Sequence, residues 1–410
     1  MSLAVVTATF ALASLGIHFW QVVVALRFQW HRPTLKPVIA ENITVLKPLK
    51  GADAHTAACL RSWMRAALTG ATKGMPAPAR GHVQLLFGVH SQEDSAVPIV
   101  DRVIAEFPTV DARLVVCPEE LGVNRKVSTL IQLARLARHP LFVISDSDVW
   151  IPAGHLTEIA TRLIDPHVGM VNSFYRLANP ANSAMQWEAV ATNADFWSQV
   201  LQSRSLKPQN FALGASMGIP RSWLDRIGGF ESVADYLADD YQLGLRVANA
   251  GGRIDLCGSV VECRDAACGW SAAWAHQLRW ARTIRVCQPM PFAASIIANV
   301  TVFAIAWALA AQSPGVIGLV IAIIHLRMFT ATCLRRRLGD PASVWKWCWL
   351  APIKDLVMIP LWVAAFLGNT VTWRGLRFSV RPDGRLVRRE TARPEVLVPD
   401  GSGLGRTTDR

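Results

Sequence analysis

Leu141-Phe-Val-Ile-Ser-Asp146-Ser-Asp148-Val-Trp-Ile151 opens with four apolar residues and runs into an Asp-x-Asp. A short apolar run bounded by turn-forming residues is the pattern of a strand covered on both faces, as in a parallel sheet. Ligands of such sheets bind beyond the carboxyl ends of the strands, which is where Asp146 and Asp148 stand. Alternation along extended backbone points both carboxylates to one side. There they can share one hard divalent cation, Mg²⁺ or Mn²⁺, with substrate phosphates completing its shell. A diphosphate needs such neutralisation to leave an organic group readily. A loop of helix-capping Asp and Ser before Pro152 would account for the same residues without any chemistry.

Outward from this stretch, further β-rich runs occur at residues 43–49, 83–89, 112–117 and 168–174, with helix-period segments such as 127–137 and 156–163 between them. Strands alternating with helices predict an α/β domain over residues 40–265, its mostly parallel sheet covered on both faces. Two more acidic segments fall at element ends. Residues 83–89 lead into His90-Ser91-Gln92-Glu93-Asp94, where a carboxylate could bind a nucleoside or simply be solvated in a turn. Tyr236-Leu237-Ala238-Asp239-Asp240-Tyr241 opens a helix that Gly251-Gly252 ends. Acids suit a helix N-terminus electrostatically, and Asp240 could also serve as a general base toward an alcohol, an effect of roughly 10²–10⁴-fold.

The chain as a whole is apolar. Of its 410 residues 51% are hydrophobic and only 18% charged, against about 25% charged in an average soluble domain. That composition excludes general disorder and disfavours a plain soluble enzyme. Residues 3–26 carry no formal charge, long enough to cross a bilayer, and they lack the basic n-region of a cleaved signal. Arg27, Arg32 and Lys36 follow, placing that side in the cytoplasm by the positive-inside rule. Residues 292–311 and 315–334 predict a helical hairpin closed by Arg335-Arg336-Arg337, with Arg327 snorkelling or facing protein. A third block, 344–367, holds Lys346, Lys354 and Asp355; a re-entrant or interfacial segment broken near Pro352 and Pro360 would keep the Arg-rich tail inside. Before the hairpin, Trp270, Trp274 and Trp280 interleave with Arg279, Arg282 and Arg285, as on an amphipathic helix at the headgroup level. The expected order is a transmembrane helix to residue 30, the α/β domain, an interfacial helix at 266–290, membrane helices at 291–367 and a basic tail at 368–410. Residues 70–80 read as an exposed loop, and the last twenty or so as disordered. The eight cysteines form no C-x-x-C, so reduced thiols are expected. The net charge of +12 lies beside the membrane segments and suits anionic headgroups rather than nucleic acid.

Together these elements resemble the GT-A glycosyltransferases, and among them the ceramide glucosyltransferase family with its hopanoid-glycosylating relatives. The likeness runs through Leu46-Lys47-Pro48-Leu49-Lys50-Gly51, Asp94, residues 107–114, Gly122-Val-Asn124-Arg-Lys126, Asp146, Asp240, Arg279-Trp280 and Thr372-Trp373-Arg374-Gly375. It implies a UDP-sugar donor, a divalent metal, and inversion to a β-glycoside on a membrane lipid alcohol. By that likeness Asp94 and Lys126 would serve the nucleotide, Asp146 with Asp148 the metal and diphosphate, and Asp240 the base. Arg279 and Trp280 would position the donor, and Trp280 with His276 and Gln277 the acceptor side. The family signature is Gln or Arg, two residues, then Arg-Trp; here His276 stands first. An acid often found three residues before the Asp94 position is Ser91. The expected protein is an integral, bacterial-type inner-membrane enzyme that moves one glucose or N-acetylglucosamine to a ceramide or hopanoid polyol, the His276 variant leaning to the latter. A processive β-glycan synthase and a non-catalytic nucleotide-sugar scaffold are the rivals.

Overall fold

A computed structural model describes residues 2–30, 42–69, 82–373 and 376–389. Arg32, Lys36, the 70–80 stretch, Arg374-Gly375 and the last twenty-one residues lie outside these. The chain begins with α1 (Leu3–Arg27) and then builds its α/β part. In order come β1 (Ile43–Pro48), α2 (Thr56–Thr69), β2 (Val83–Val89), α3 (Val97–Glu106), β3 (Asp111–Val116), α4 (Arg125–Leu136), β4 (Leu141–Ser145), β5 (Val149–Trp150) and α5 (His155–Arg162). There follow β6 (Val168–Asn172), β7 (Tyr175–Leu177), α6 (Ser183–Val190), a π-helical turn (Ala191–Phe196), α7 (Trp197–Leu206), β8 (Ser216–Pro220), α8 (Arg221–Arg226), α9 (Asp239–Asn249), β9 (Arg253–Leu256) and β10 (Val261–Cys263).

Seven strands form one sheet in the order β3-β2-β1-β4-β8-β6-β9. The β1–β2, β1–β4, β2–β3 and β6–β9 pairs are parallel, while β8 runs antiparallel to both β4 and β6. Strand β2 illustrates why the run is almost wholly apolar. Val83, Leu85, Phe87 and Val89 pack on one face with Trp63 of α2 and Val100 of α3, and Leu86 packs on the other with Leu130 and Leu133 of α4. With both faces buried, its one polar side chain, Gln84, must be paired: its oxygen accepts from the Thr44 hydroxyl and the Arg138 N–H, and its amide donates to the Leu136 carbonyl. The expected α/β architecture with helices on both faces is thus present. The 141–151 stretch splits at its acidic turn: β4 stays in the main sheet, whereas β5 joins a small second sheet with β10 and β7.

The carboxyl-terminal part comprises α10 (Trp270–Cys287), α11 (Pro289–Ala294), α12 (Val300–Ala311), α13 (Pro314–Leu338), α14 (Leu350–Phe366) and a three-stranded antiparallel sheet of β11 (Thr370–Trp373), β12 (Leu376–Val380) and β13 (Leu386–Arg388). By length and composition α1 and α13 can cross a membrane, and α11 with α12 would form a third span bent by 50°. The bend falls at Asn299, whose side chain caps α12 by accepting the Val302 N–H and donates to the Asp355 carbonyl. The helical hairpin is therefore present, its first arm broken. Helix α14 runs unbroken through Pro360, contrary to the expected interruption there. Pro352 falls in its first turn, where a missing N–H costs nothing, and the actual break precedes residue 350.

Arg327 faces protein. Its guanidinium reaches Asp355 at 2.9 Å and Asp195 of the π-helical turn at 2.8 Å, and Lys354 pairs with the same two acids. Two cations and two anions thus balance where α13, α14 and the π-helical turn meet. All eight cysteines are free thiols.

Candidate active site

Three segments converge at the carboxyl ends of β1 and β4. Lys126 lies in the first turn of α4, a helix started by Asn124, whose side chain accepts the N–H groups of Lys126 and Val127. The same amide donates to the Tyr236 carbonyl at 2.8 Å, so the 122–126 segment is tied to the chain just before α9. That tie places the Lys126 ammonium 2.8 Å from Asp146 and 3.1 Å from Asp239. Burial opposes its charge, but Asp146, Asp239 and Asp240 outweigh it and raise its pKa above the ordinary lysine value.

Asp240, in the first turn of α9, accepts the N–H of Tyr241. Two close approaches seat it. Gly244 of α9 lies against the backbone of Phe211 and Ala212, and the Asp240 carboxylate lies 2.7 Å from where a Cβ on Gly214 would stand. Only glycine permits helix and loop to meet this tightly. Burial first, then the neighbouring Asp239, raises the Asp240 carboxyl to about 6. Burial, with Asp265 and Asp146 beside it, raises Asp148 to about 7. At the end of β1, Lys47 is fully buried; its ammonium donates to Ser145 Oγ and to the Asp146 carbonyl, and lies 5.0 Å from the Trp63 ring centre. The backbone at the acidic turn is held further by the Cys59 thiol and the Arg264 N–H, both donating to the Asp148 carbonyl.

Asp146, Asp240 and Lys126 therefore lie together, with Asp148 next to Asp146. Tyr175 joins them. Burial raises its hydroxyl well above the ordinary tyrosine value, and the charges of Asp240, Asp146 and Asp148 add to that. Its ring meets Trp280 edge-on at 6.1 Å, and both rings contact Phe196. Trp280 is thus linked to the carboxylates through Tyr175, with Arg279 half-buried beside it on α10.

His276 and Gln277, one turn earlier on α10, both turn to Glu188 of α6, at 2.5 and 2.9 Å. Asp94 sits past β2, separated from Asp146 by β1 in the sheet order. Its carboxylate accepts the N–H groups of Gly51 and Ala96, fastening two loops at the rim. Arg282 and Arg285 bind the Thr370 carbonyl and the Asn369 side chain, so these two serve the junction of α14 with β11. Among the described residues, no three His, Cys, Asp or Glu side chains form a ready-made chelating group. Sequence reasoning gave no role to Tyr175, Lys47, Glu188, Asp239 or Asp265. Lys47 and Asp239 lay inside quoted motifs, whereas Tyr175 and Glu188 carry no spacing signal.

Ceramide glucosyltransferase 1 of Caenorhabditis elegans is 26% identical over 219 residues, covering 51% of this chain and 42% of that protein. Ceramide glucosyltransferase 3 of the same organism is 23% identical over 230 residues, 55% and 46% respectively. The chain thus spans less than half the length of these curated relatives. Among solved structures, the mannosyltransferase PcManGT from Pyrobaculum calidifontis in complex with GDP-Man and Mn²⁺ is similar at 19% identity and a TM-score of 0.49, over 84% of this chain and 98% of that one. A match to the sequence family described as Glycosyl transferase family 21 extends over residues 4–386. It takes in the carboxylate pocket and the apolar helices on either side of it in the sequence, and the chain belongs to that family.

Proposed function

We propose that this protein transfers one sugar, glucose or N-acetylglucosamine, from a UDP-sugar to the hydroxyl of a membrane lipid, with inversion at the anomeric carbon. The observation that carries the reading is the clustering of Asp146, Asp240 and Lys126, with Asp148 beside Asp146, on a chain that also has membrane-length apolar helices. In a single displacement the lipid oxygen bonds to the anomeric carbon as the bond to UDP breaks, and the hydroxyl proton passes to Asp240. A carboxyl near 6 is ionised at neutral pH and basic enough to accept that proton. Lys126, already flanked by acids, supplies a fixed positive charge for the diphosphate. Lys47 holds the acidic turn by its backbone.

Asp146 and Asp148 fit a hard divalent cation. They are oxygen donors at one strand end, and a dication would offset the burial and the neighbouring negative charges of Asp265 and Asp146 that lift Asp148 to about 7. Such an ion would supply neutralisation of the departing diphosphate, sharing its shell with phosphate oxygens. Asp94 would contribute to the nucleotide side, while Arg279 and Trp280 would face donor and acceptor. The active site would lie on the cytosolic side of an inner membrane, and the acceptor would be a hopanoid polyol or ceramide.

The test is a transfer assay on the full chain in nanodiscs, with UDP-glucose and UDP-N-acetylglucosamine and extracted lipids. Lipid-dependent UDP release, a product heavier by one hexose or N-acetylhexosamine, and loss of activity in EDTA are expected. UDP release without lipid dependence would overturn the reading, and a polymeric product would favour a glycan synthase.

A further inference from the structure

The Glu188–His276 contact has a consequence for what the acceptor must offer. Glu188 is nearly inaccessible, its side chain 8% exposed, while a third of the His276 side chain remains open. The two helices that carry them are firmly joined. Asn182, the cap of α6, donates to the Cys268 carbonyl just before α10, and Ala184 and Trp187 of α6 pack with Ala273 and Ala281 of α10. Neither side chain can drift far from the other.

A buried carboxylate can only accept, so the short contact to Nδ1 places the imidazole proton there. In the neutral ring Nε2 then carries a lone pair. Among the described residues none hydrogen-bonds Nε2, and a third of the His276 side chain stays exposed. The ring stands 5.0 Å from Trp280, which leads through Tyr175 to the carboxylate pocket. A hydrogen-bond acceptor held rigidly beside the reaction pocket suits a donor group on the substrate near the reacting hydroxyl.

Resting on the transferase reading above, we propose that Glu188 is a positioning residue. It fixes His276 so that Nε2 accepts a hydrogen bond from a second hydroxyl of the lipid acceptor. The acceptor class is therefore a lipid with at least two neighbouring hydroxyls. Gln277, also held by Glu188, keeps the carboxylate in place when the ring is loaded.

The test uses the full chain in nanodiscs and two probe pairs: short-chain ceramide against its 3-deoxy analogue, and 1,2-hexadecanediol against 1-hexadecanol. The wild type should prefer the member with the second hydroxyl by roughly 3- to 10-fold in acceptor KM, the worth of one uncharged hydrogen bond. Glu188→Leu, which removes the acceptor from Nδ1, should erase that preference with donor KM unchanged, whereas Glu188→Gln, whose amide oxygen can still accept the Nδ1–H, should largely keep it. His276→Gln should keep it, because the amide oxygen accepts in place of Nε2, and His276→Asn should lose it. The deciding arm is the double variant: Glu188→Leu in the His276→Gln background should have no further effect on the preference. Should the two substitutions simply add, or should His276→Gln lose the preference as fully as His276→Asn, Glu188 is structural and the proposal falls. If the wild type glycosylates a probe yet treats both members of the pair alike, the proposal also falls while the transferase reading stands. Transfer to none of the four probes or to extracted lipid would overturn the lipid-alcohol reading itself.

Discussion

Burial and the adjacent Asp239 hold the Asp240 carboxyl at about 6, and two effects of opposite sign follow. As a base it must be ionised, so kcat/KM should rise tenfold per pH unit below about 6 and level off above it. Asp240→Asn should lower kcat by roughly 10²–10⁴-fold. For stability, a folded carboxyl above its unfolded value near 3.8 binds its proton more tightly in the native state. Its effect is nil below about pH 4, grows unfavourable toward pH 6 and stays so above. Asp240→Asn should therefore raise the thermal midpoint at pH 7.5 by the equivalent of about 1–3 kcal/mol and leave it unchanged near pH 4, read by tryptophan fluorescence. An inactive variant with no stability gain at pH 7.5 would refute the strained-base account. Gly214→Ala tests the same seat from the other side. Its methyl group would lie 2.7 Å from the Asp240 carboxylate, so kcat should fall about tenfold or more with donor KM retained, since small misplacements of a catalytic group are costly. The meeting of Asp146 and Asp240 was legible in sequence because each stands at the end of an element, where a mostly parallel sheet gathers its loops. Tyr175 was not. A tyrosine after an apolar strand reads as core, and its relation to Asp240 arises only when β7 and α9 are brought together.

Helix α13 would be an ordinary apolar span but for Arg327, which is 3% exposed and bound to Asp355 and Asp195. Removing one partner of a buried ion cluster leaves an uncompensated charge and costs about 3–5 kcal/mol, whereas replacing a balanced pair costs far less. Arg327→Met should sharply lower the melting midpoint of the detergent-solubilised protein in a size-exclusion assay. Adding Asp355→Asn should restore most of it, since Lys354 and Asp195 remain as a neutral pair at 2.5 Å. A double variant no more stable than the single one would deny the cluster its role. At this scale the sequence disclosed the apolar runs and the alternation of strands and helices, because both are periodic. It did not disclose that Arg282 and Arg285 serve the end of α14, since an arginine on an amphipathic helix looks the same whether its partner is a phosphate or a carbonyl far along the chain. Nor did it locate the bend at Asn299, where one amide joins α12 to α14.

The architecture of the whole molecule constrains which side of a membrane its tail occupies. Helix α13 leaves the turn at Gln312-Ser313 and ends beside the α/β part, where Arg335 binds Asp340 and Gln186 and Arg337 caps α1 through the Leu26 carbonyl. From there α14 would carry the chain across again if it were a span, and the tail would emerge with the 312–313 turn. Its contacts oppose that. Lys354 and Asp355 near its start meet the π-helical turn, and its end is held by Arg282 of α10. The β11–β13 sheet then packs Val371, Phe378, Val380 and Leu386 onto Leu237, just before Asp240, and the Leu386 N–H donates to the Asp235 carbonyl. A tail crossing the bilayer would have to forfeit this apolar cluster, and its basic residues would lie against the charge rule. Split-fluorescent-protein tags placed after Arg410 and between Gln312 and Ser313 should report opposite compartments, with only the former complemented by a cytosolic partner. Complementation of both tags, or of neither, would mean that α14 spans the membrane and that the tail sheet cannot pack beside the base, whereas complementation of the 312–313 tag alone would keep α14 from spanning and overturn the cytosolic orientation.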